Sequence, residues 1–266
     1  MSKEIGVIGL GKMGGVIAGL LIKHDYKITA FDVNKEAANS LQNKINFSTE
    51  IKDILKSKIP VILAVKPAFI SKIISQIADE RLLISIAAGV NTSVMQYHRK
   101  VPGPVIRVMP NTPFLIQKGT SVLYADKNCS EDDKKTALDI FSKGGDAFFI
   151  ENENWMHAVT ALSGSGPAFV ELFLQALEDA GVLSGLPRDI SRSLVLKTAA
   201  GTVSLVENEN RSPQDHILDV TSPGGTTIYG LKALKKHGFE NAVYKAIKSA
   251  VKRSVHLEKE SRKKTL

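Results

Sequence analysis

Gly9-Leu10-Gly11-Lys12-Met13-Gly14 stands between a short apolar run and residues with helical spacing. Each glycine answers a separate need. Gly9 permits a tight turn, Gly11 lets the backbone approach a pyrophosphate, and Gly14 lets a helix pack closely on a strand. The N-terminus of that helix offers N–H groups and a positive dipole end to the phosphates. Eighteen residues beyond Gly14, at the end of the next apolar run, stands Asp32. A carboxylate there hydrogen-bonds the ribose hydroxyls of an adenosine and repels a 2′-phosphate, which favours NADH over NADPH. Lys35 lies close enough in sequence to soften that repulsion. A second segment, Thr221-Ser222-Pro223-Gly224-Gly225-Thr226-Thr227, has the same logic. Two glycines bare the backbone amides, and three hydroxyls add donors at a helix start, so a small carboxylate fits it.

The rest of the inventory is sparse. The six histidines (His24, His98, His157, His216, His237, His256) show no metal-ligand spacing and no evident carboxylate partner in sequence, so they read as surface or packing residues. No metal site is expected. The single cysteine, Cys129, excludes an internal disulfide framework and reads as an incidental thiol in a turn. A hydride transfer needs nothing stronger when the substrate already carries its proton, or takes one from a hydroxyl or water.

These segments require particular elements to hold them. Apolar runs at 5–10, 27–32, 60–65, 82–87 and 105–109 alternate with amphipathic stretches such as Ile70, Ile73, Ile74 and Ile77. Continuous Val/Ile/Leu runs between helices predict a parallel sheet buried on both faces, an α/β Rossmann-type doubly wound fold. Two more short strands, around 120–124 and 147–150, flank a helix opened by Ser130 and three acids. Beyond Glu151 the strand signal stops. Helices are expected from Pro167, closed by Gly181, and from Pro187 to about Asn208. Others are expected at 212–219, at 226–236 and from Phe239. The reading is therefore two domains, 1–155 for the dinucleotide and 156–266 all-helical, for substrate and dimerisation. Ile190, Leu194, Val195, Leu196, Val203 and Leu205 cover more than one stripe of their helix, as burial against a second subunit requires.

Charge excludes one class of partner. The net charge is +8, but six of the basic residues (Lys252, Arg253, Lys259, Arg262, Lys263, Lys264) fall in the last segment and few aromatics accompany the rest. That is a solvated helix and not a nucleic-acid groove. No run is long enough to span a membrane, and Met1-Ser2 lead straight into a strand, so the cytoplasm is the expected compartment.

Taken together these segments resemble the pyrroline-5-carboxylate reductase family. The residues that carry the likeness span nearly the whole chain. They are Ile8–Gly14, Ala64-Val65-Lys66-Pro67, Ser85-Ile86-Ala87-Ala88-Gly89, Arg107–Pro113, Ser163–Ala168 and Asp219–Thr227. The resemblance implies a Rossmann domain followed by a helical domain that pairs with a second subunit, in some members within a ring of dimers. It also implies the reaction, hydride transfer from NADH or NADPH to C5 of L-1-pyrroline-5-carboxylate, giving L-proline. In that picture Ala64, Val65, Lys66 and Pro67 line the dinucleotide, while Ala87, Ala88 and Asn111 lie near the nicotinamide. Ser222, Gly224, Gly225 and Thr226 hold the substrate carboxylate with Val220 beside them, and Thr227 places a hydroxyl near the imine nitrogen. Many members carry Asn-Arg or Ser/Thr-rich sequence after the second strand, suited to a 2′-phosphate. This chain has Phe31-Asp32-Val33-Asn34, which favours NADH.

Two rival readings share the first motif. A β-hydroxyacid dehydrogenase needs a catalytic lysine after a glycine-rich helix start; Lys197 is the candidate and lacks such a start. A non-catalytic dinucleotide sensor has no need of a second anion cradle.

Overall fold

The structure is a computed structural model describing residues 3–41, 43–209 and 211–263. Met1-Ser2 and Lys264 of the basic run lie outside them. The chain opens with β1 (Glu4–Ile8), α1 (Lys12–Lys23), β2 (Lys27–Phe31), β3 (Asn46–Ser48) and α2 (Ile51–Leu55). It continues through β4 (Val61–Leu63), α3 (Pro67–Ile74), β5 (Leu83–Ser85), α4 (Thr92–His98) and β6 (Val105–Met109). The strands β7 (Gly119–Ala125) and β8 (Gly145–Phe149), joined by α5 (Glu131–Ser142), complete one sheet in the order β3-β2-β1-β4-β5-β6-β7-β8.

Strand alternation explains the layers. Ile5, Val7, Ile62, Ile84 and Ile106 face α1 and the Ile140–Phe141 side of α5. Ile8, Val61, Leu63, Leu83 and Val105 face Ile70, Ile73, Ile74 and Ile77, together with Val94 and Met95 of α4. Each such side chain, fully buried, contributes about 1.5–3 kcal/mol, and the helices on both faces make every strand read as an apolar run.

The expected parallel, doubly wound sheet is present, with its sense reversed at β7. β1 to β6 pair in parallel, but β7 runs antiparallel to β6. The connection at 110–118 holds only a 3-10 turn (Thr112–Ile116) that reverses at Gln117, φ 57°. Parallel return would take a crossover of about a dozen residues or more. β8 regains the parallel sense through α5, whose Ser130–Asp133 capping box and first-turn acids match the expected start. The edge strand β3 is too short to show a periodic pattern.

The remaining elements are helical: α6 (Met156–Val159), a π-type turn at Thr160–Gly164, α7 (Gly166–Leu183), α8 (Arg188–Asn208), α9 (Pro213–Asp219), α10 (Thr226–Lys236) and α11 (Phe239–Lys263). Packing divides the chain into two units. One runs to Ser165 and takes up the end of α11 from Ser249; the other is Gly166–Lys248. α7 does not close at Gly181. It continues to Leu183, because Gly181 is where Ser191 of α8 crosses it, and the terminating glycine is Gly185 at φ 97°. Within the single chain α7 and α8 leave Val170 and Val203 each 58% exposed, with Phe173, Leu194 and Leu205. An apolar surface this extensive marks an interaction face.

At the amino edge of the sheet a buried arginine holds the end of α2. Arg81 donates to the carbonyls of Leu55 at 2.8 Å and Ser57 at 2.9 Å, and through Nε to Asp79 at 2.7 Å. Those hydrogen bonds hold Asp79 below its ordinary value of 3.8. A depressed carboxylate stabilises the fold above its unfolded value and loses that contribution as pH falls. Asp79→Asn is therefore expected to cost about 2 kcal/mol at pH 7 by denaturant melts, with the gap to wild type closing below pH 3.8.

Candidate active site

In the open sheet the strand order reverses between β1 and β4, and ligands bind outside the carboxyl ends of the strands at such a point. All first-half candidates lie along this edge because β1, β2, β4, β5 and β6 are parallel. Gly9 to Gly14 follow β1, Asp32 follows β2, and Ala64 to Pro67 follow β4. Ala87 and Ala88 follow β5, and Asn111 follows β6.

The glycine turn has the build the motif predicts. Gly9 sits at φ 100°, and a Cβ there would lie 2.5 Å from the Ala64 carbonyl oxygen. A Cβ on Gly14 would collide with the Gly9 carbonyl, whereas one on Gly11 meets no protein atom within 4 Å. Gly11 is thus open on the side a ligand would use. α1 begins there with no side-chain cap and no acid in its first turn, so the first-turn amides have no partner on the helix. Met13 packs against the core while Lys12 is exposed.

Asp32 does more than its spacing suggests. Its Oδ2 accepts from Leu10 N at 2.6 Å and its Oδ1 from Asn34 N at 2.8 Å. The Gly9 amide donates to the Phe31 carbonyl at 2.7 Å. The carboxylate therefore shapes the glycine turn, and each oxygen keeps a second lone pair for a hydroxyl donor. Lys35 is exposed and opens the 3-10 turn that follows.

Next along the edge, α3 starts at Pro67 with Lys66 as its uncapped N-terminal neighbour and no acid in its first turn. Lys66 and Pro67 are exposed, and Ala64 and Val65 half-buried. Ala87 is buried and its amide donates to Ser85 Oγ at 3.3 Å; Ala88 beside it is half-buried. Asn111 is locked from both ends. Its Oδ1 accepts from Thr120 N at 2.9 Å and its Nδ2 donates to Ser163 Oγ at 3.3 Å.

The second cradle lies in the unit Gly166–Lys248. Ser222 to Gly225 form a turn closed by Gly225 N on Ser222 O at 3.1 Å, and Gly224 at φ 74° supplies the left-handed step. α10 then starts at Thr226 with no side-chain cap and no acid in its first turn. Among the described residues the hydroxyls of Ser222, Thr226 and Thr227 are uncommitted. Thr221, by contrast, donates to Ile217 O at 2.6 Å, and Val220 caps α9. Arg211 reaches Asp219 at 2.7 Å and bridges the two ends of α9 just before the cradle. Lys197 is exposed in the interior of α8, away from any helix start.

The histidine reading needs correction. His157 Nδ1 meets Ser254 Oγ at 3.0 Å and its Nε2 lies 3.4 Å from Glu258. His216 is buried with Glu209 at 3.8 Å, and His256 pairs with Glu260 at 3.3 Å. The partners of His157 lie on the last helix, about a hundred positions away, which leaves no local signal. Cys129 is packed in, donates to Val105 O and Asp126, and burial pushes its thiol up to about 12, so it is unreactive at neutral pH. No three His, Cys, Asp or Glu side chains among the described residues are grouped to hold a metal, and no helix is long and apolar enough to cross a membrane.

Fold and edge together define a nicotinamide-dinucleotide oxidoreductase of the Rossmann type. Residues 4–89 match the family model "NADP oxidoreductase coenzyme F420-dependent", and residues 153–257 match "pyrroline-5-carboxylate reductase dimerisation". The pyrroline-5-carboxylate reductase of Synechocystis is 36% identical, covering 97% of this chain and 100% of its own. That of Methanosarcina acetivorans is 37% identical over 97% and 99%. The crystal structure of the Plasmodium falciparum pyrroline carboxylate reductase, which has NADP bound, superposes with a TM-score of 0.86 at 32% identity, covering 96% and 98%. The chain belongs to the pyrroline-5-carboxylate reductase family. It is an NAD(P)H-dependent enzyme that assembles with copies of itself through its helical half.

The two glycines separate fold from ligand. Gly14→Ala is expected to lower the melting temperature of the ligand-free protein, since backbone must move. Gly11→Ala should cost less than about 1 kcal/mol of stability yet weaken dinucleotide binding in a titration.

Proposed function

We propose that this enzyme reduces the C=N bond of L-1-pyrroline-5-carboxylate to give L-proline, the last step of proline synthesis. The observation that carries the reading is the bare N-terminus of α10, where the first-turn amides have no side-chain cap and the hydroxyls of Ser222, Thr226 and Thr227 are uncommitted. Near full-length relatives that bear this activity in their names support it.

In this reading a bound NAD(P)H supplies the hydride that reduces the imine carbon. The first-turn amides of α1 hold the pyrophosphate, and Ala64 to Pro67 line the path toward the nicotinamide. Ala87, Ala88 and Asn111 fix its position. The amides of Gly224 and Thr226, with Ser222 Oγ, hold the substrate carboxylate; Gly225, without a side chain, leaves the approach open, and the Val220 side chain faces the apolar part of the substrate. A protonated cyclic imine is already electrophilic. Its nitrogen keeps that proton and becomes the amine, so no strong general base is needed. Thr227 Oγ1 orients or relays at that nitrogen. Holding both reactants in register can supply roughly 7–11 kcal/mol of the barrier reduction.

NADH is the preferred cofactor, because Asp32 places a carboxylate where a 2′-phosphate would lie, with Lys35 offsetting part of the repulsion. Residues 1–155 serve the dinucleotide, and 156–266 bind substrate and form a homodimer, which a ring of dimers can extend. A single packed thiol is what a chain working in the reducing cytoplasm carries.

Steady-state oxidation of NADH and NADPH with pyrroline-5-carboxylate tests the whole reading. Turnover with a higher kcat/KM for NADH is expected, and Thr227→Ala should cut kcat while leaving dinucleotide affinity intact. Absence of turnover with the imine would overturn it.

A further inference from the structure

Outside the two cradles, a buried polar cluster is built around the last turns of α11. Glu258, with its side chain 13% exposed, is the hub. Its Oε1 accepts from Asn91 Nδ2 at 3.1 Å and from Arg262 at 3.0 Å. Its Oε2 lies 3.4 Å from His157 Nε2 and 3.8 Å from Arg107, whose side chain is 3% exposed. Arg107 also reaches Glu153 at 3.3 Å. Glu153 in turn accepts from both the amide and the hydroxyl of Thr92 at 2.8 Å.

These contacts converge on one short segment. The turn after β5 is pressed at Gly89, where a Cβ would lie 3.2 Å from Leu257 Cβ. It is held at Asn91 by Glu258 and at Thr92 by Glu153. Asn91 itself caps α4 by accepting from Val94 N at 2.9 Å. Arg107, between the two carboxylates, belongs to β6, the strand that leads into Asn111. Both carboxylates therefore grip the segment that begins at the carboxyl end of β5 and both reach Arg107 in the middle of β6, two strands whose ends carry Ala87, Ala88 and Asn111. From this we infer that Glu258 is a positioning residue, setting the Ala87–Ala88 turn and the exit of β6 in the place that receives the nicotinamide. The inference rests on the proposed roles of Ala87, Ala88 and Asn111.

Apart from the exposed Arg262, the charged members of the cluster are shielded from solvent, so their pairs are not screened as surface pairs are. Removing the hub leaves Arg107 with Glu153 alone and frees the Asn91 amide. The Ala87–Ala88 turn can then shift while the glycine turn after β1, which shares no hydrogen bond or ion pair with this cluster among the described residues, stays in place. A displacement of about 1 Å at a reacting centre can cost on the order of a hundredfold in rate.

Binding of NADH and of ADP-ribose to the full-length protein tests the inference directly, because ADP-ribose shares the pyrophosphate and adenosine but lacks the nicotinamide. Glu258→Ala is expected to weaken NADH by about tenfold relative to ADP-ribose and to lower kcat by a similar factor. The primary isotope effect with 4-deuterated NADH should rise as hydride transfer becomes slower. Glu258→Gln keeps the shape and the Asn91 acceptor, serves if the alanine variant does not fold, and should show a smaller loss of the same pattern. Equal weakening of both ligands, or neither ligand weakened with kcat unchanged, would overturn the inference. A wild-type enzyme inactive on the imine would instead overturn the proposed reaction, and the binding comparison would still read Glu258.

Discussion

An α-helix cannot satisfy its own first amides, and this chain leaves that deficit open at the helix starts proposed to face ligands. α1, α3 and α10 each start without a side-chain cap and without an acid in the first turn. α4, α5 and α9 start with Asn91, Ser130 and Ser212 accepting from their own backbone. An anion at an open helix start is stabilised by roughly 0.3–1 kcal/mol, and by up to about 2 kcal/mol in partly buried geometry. α1 and α3 open along the sheet edge in the first unit and α10 in the second, the places proposed for the dinucleotide and for a small carboxylate. The enzyme needs little else, because the iminium brings its own proton and electrophilic carbon.

The sheet makes the first of these starts useful. Its two apolar faces force helices onto both sides, and crossovers then return β1 to β6 in the same direction. All the loops after β1, β2, β4, β5 and β6 consequently open on one edge. Asp32 adds a local tie, joining the end of β2 to the Leu10 amide within the glycine turn. The residue read as a ribose contact is also part of what shapes the phosphate site. A change there alters two properties at once.

Much of this was legible from the chain because it depends on local rules. Gly14 answers to the Gly9 carbonyl within the same strand–turn–helix unit, whereas Gly9 is pressed by Ala64 and Val65 after β4 and was legible only through its place in the motif. The Ile70–Ile77 spacing sits in the core as its period requires. The antiparallel β7 was not read, although the shortness of 110–118 carried the signal. Gly181 was misread as a helix end because a glycine at a helix crossing and one at a helix terminus look alike in sequence. The cluster of Arg107, Glu153, His157 and Glu258 had no signal, since its members come from a strand, a turn, α6 and the last helix. Polar groups that meet only through tertiary packing show no spacing rule.

The central claim is that this protein orients an imine carbon against a dinucleotide held at the β1–β4 reversal. The most direct measurement is the fate of the label when the wild-type enzyme turns over pyrroline-5-carboxylate with NADH deuterated on one face of C4. Mass spectrometry of the product should find one deuterium retained at C5 of proline from one face only. Label lost to solvent, label from both faces alike, or no proline formed would contradict it.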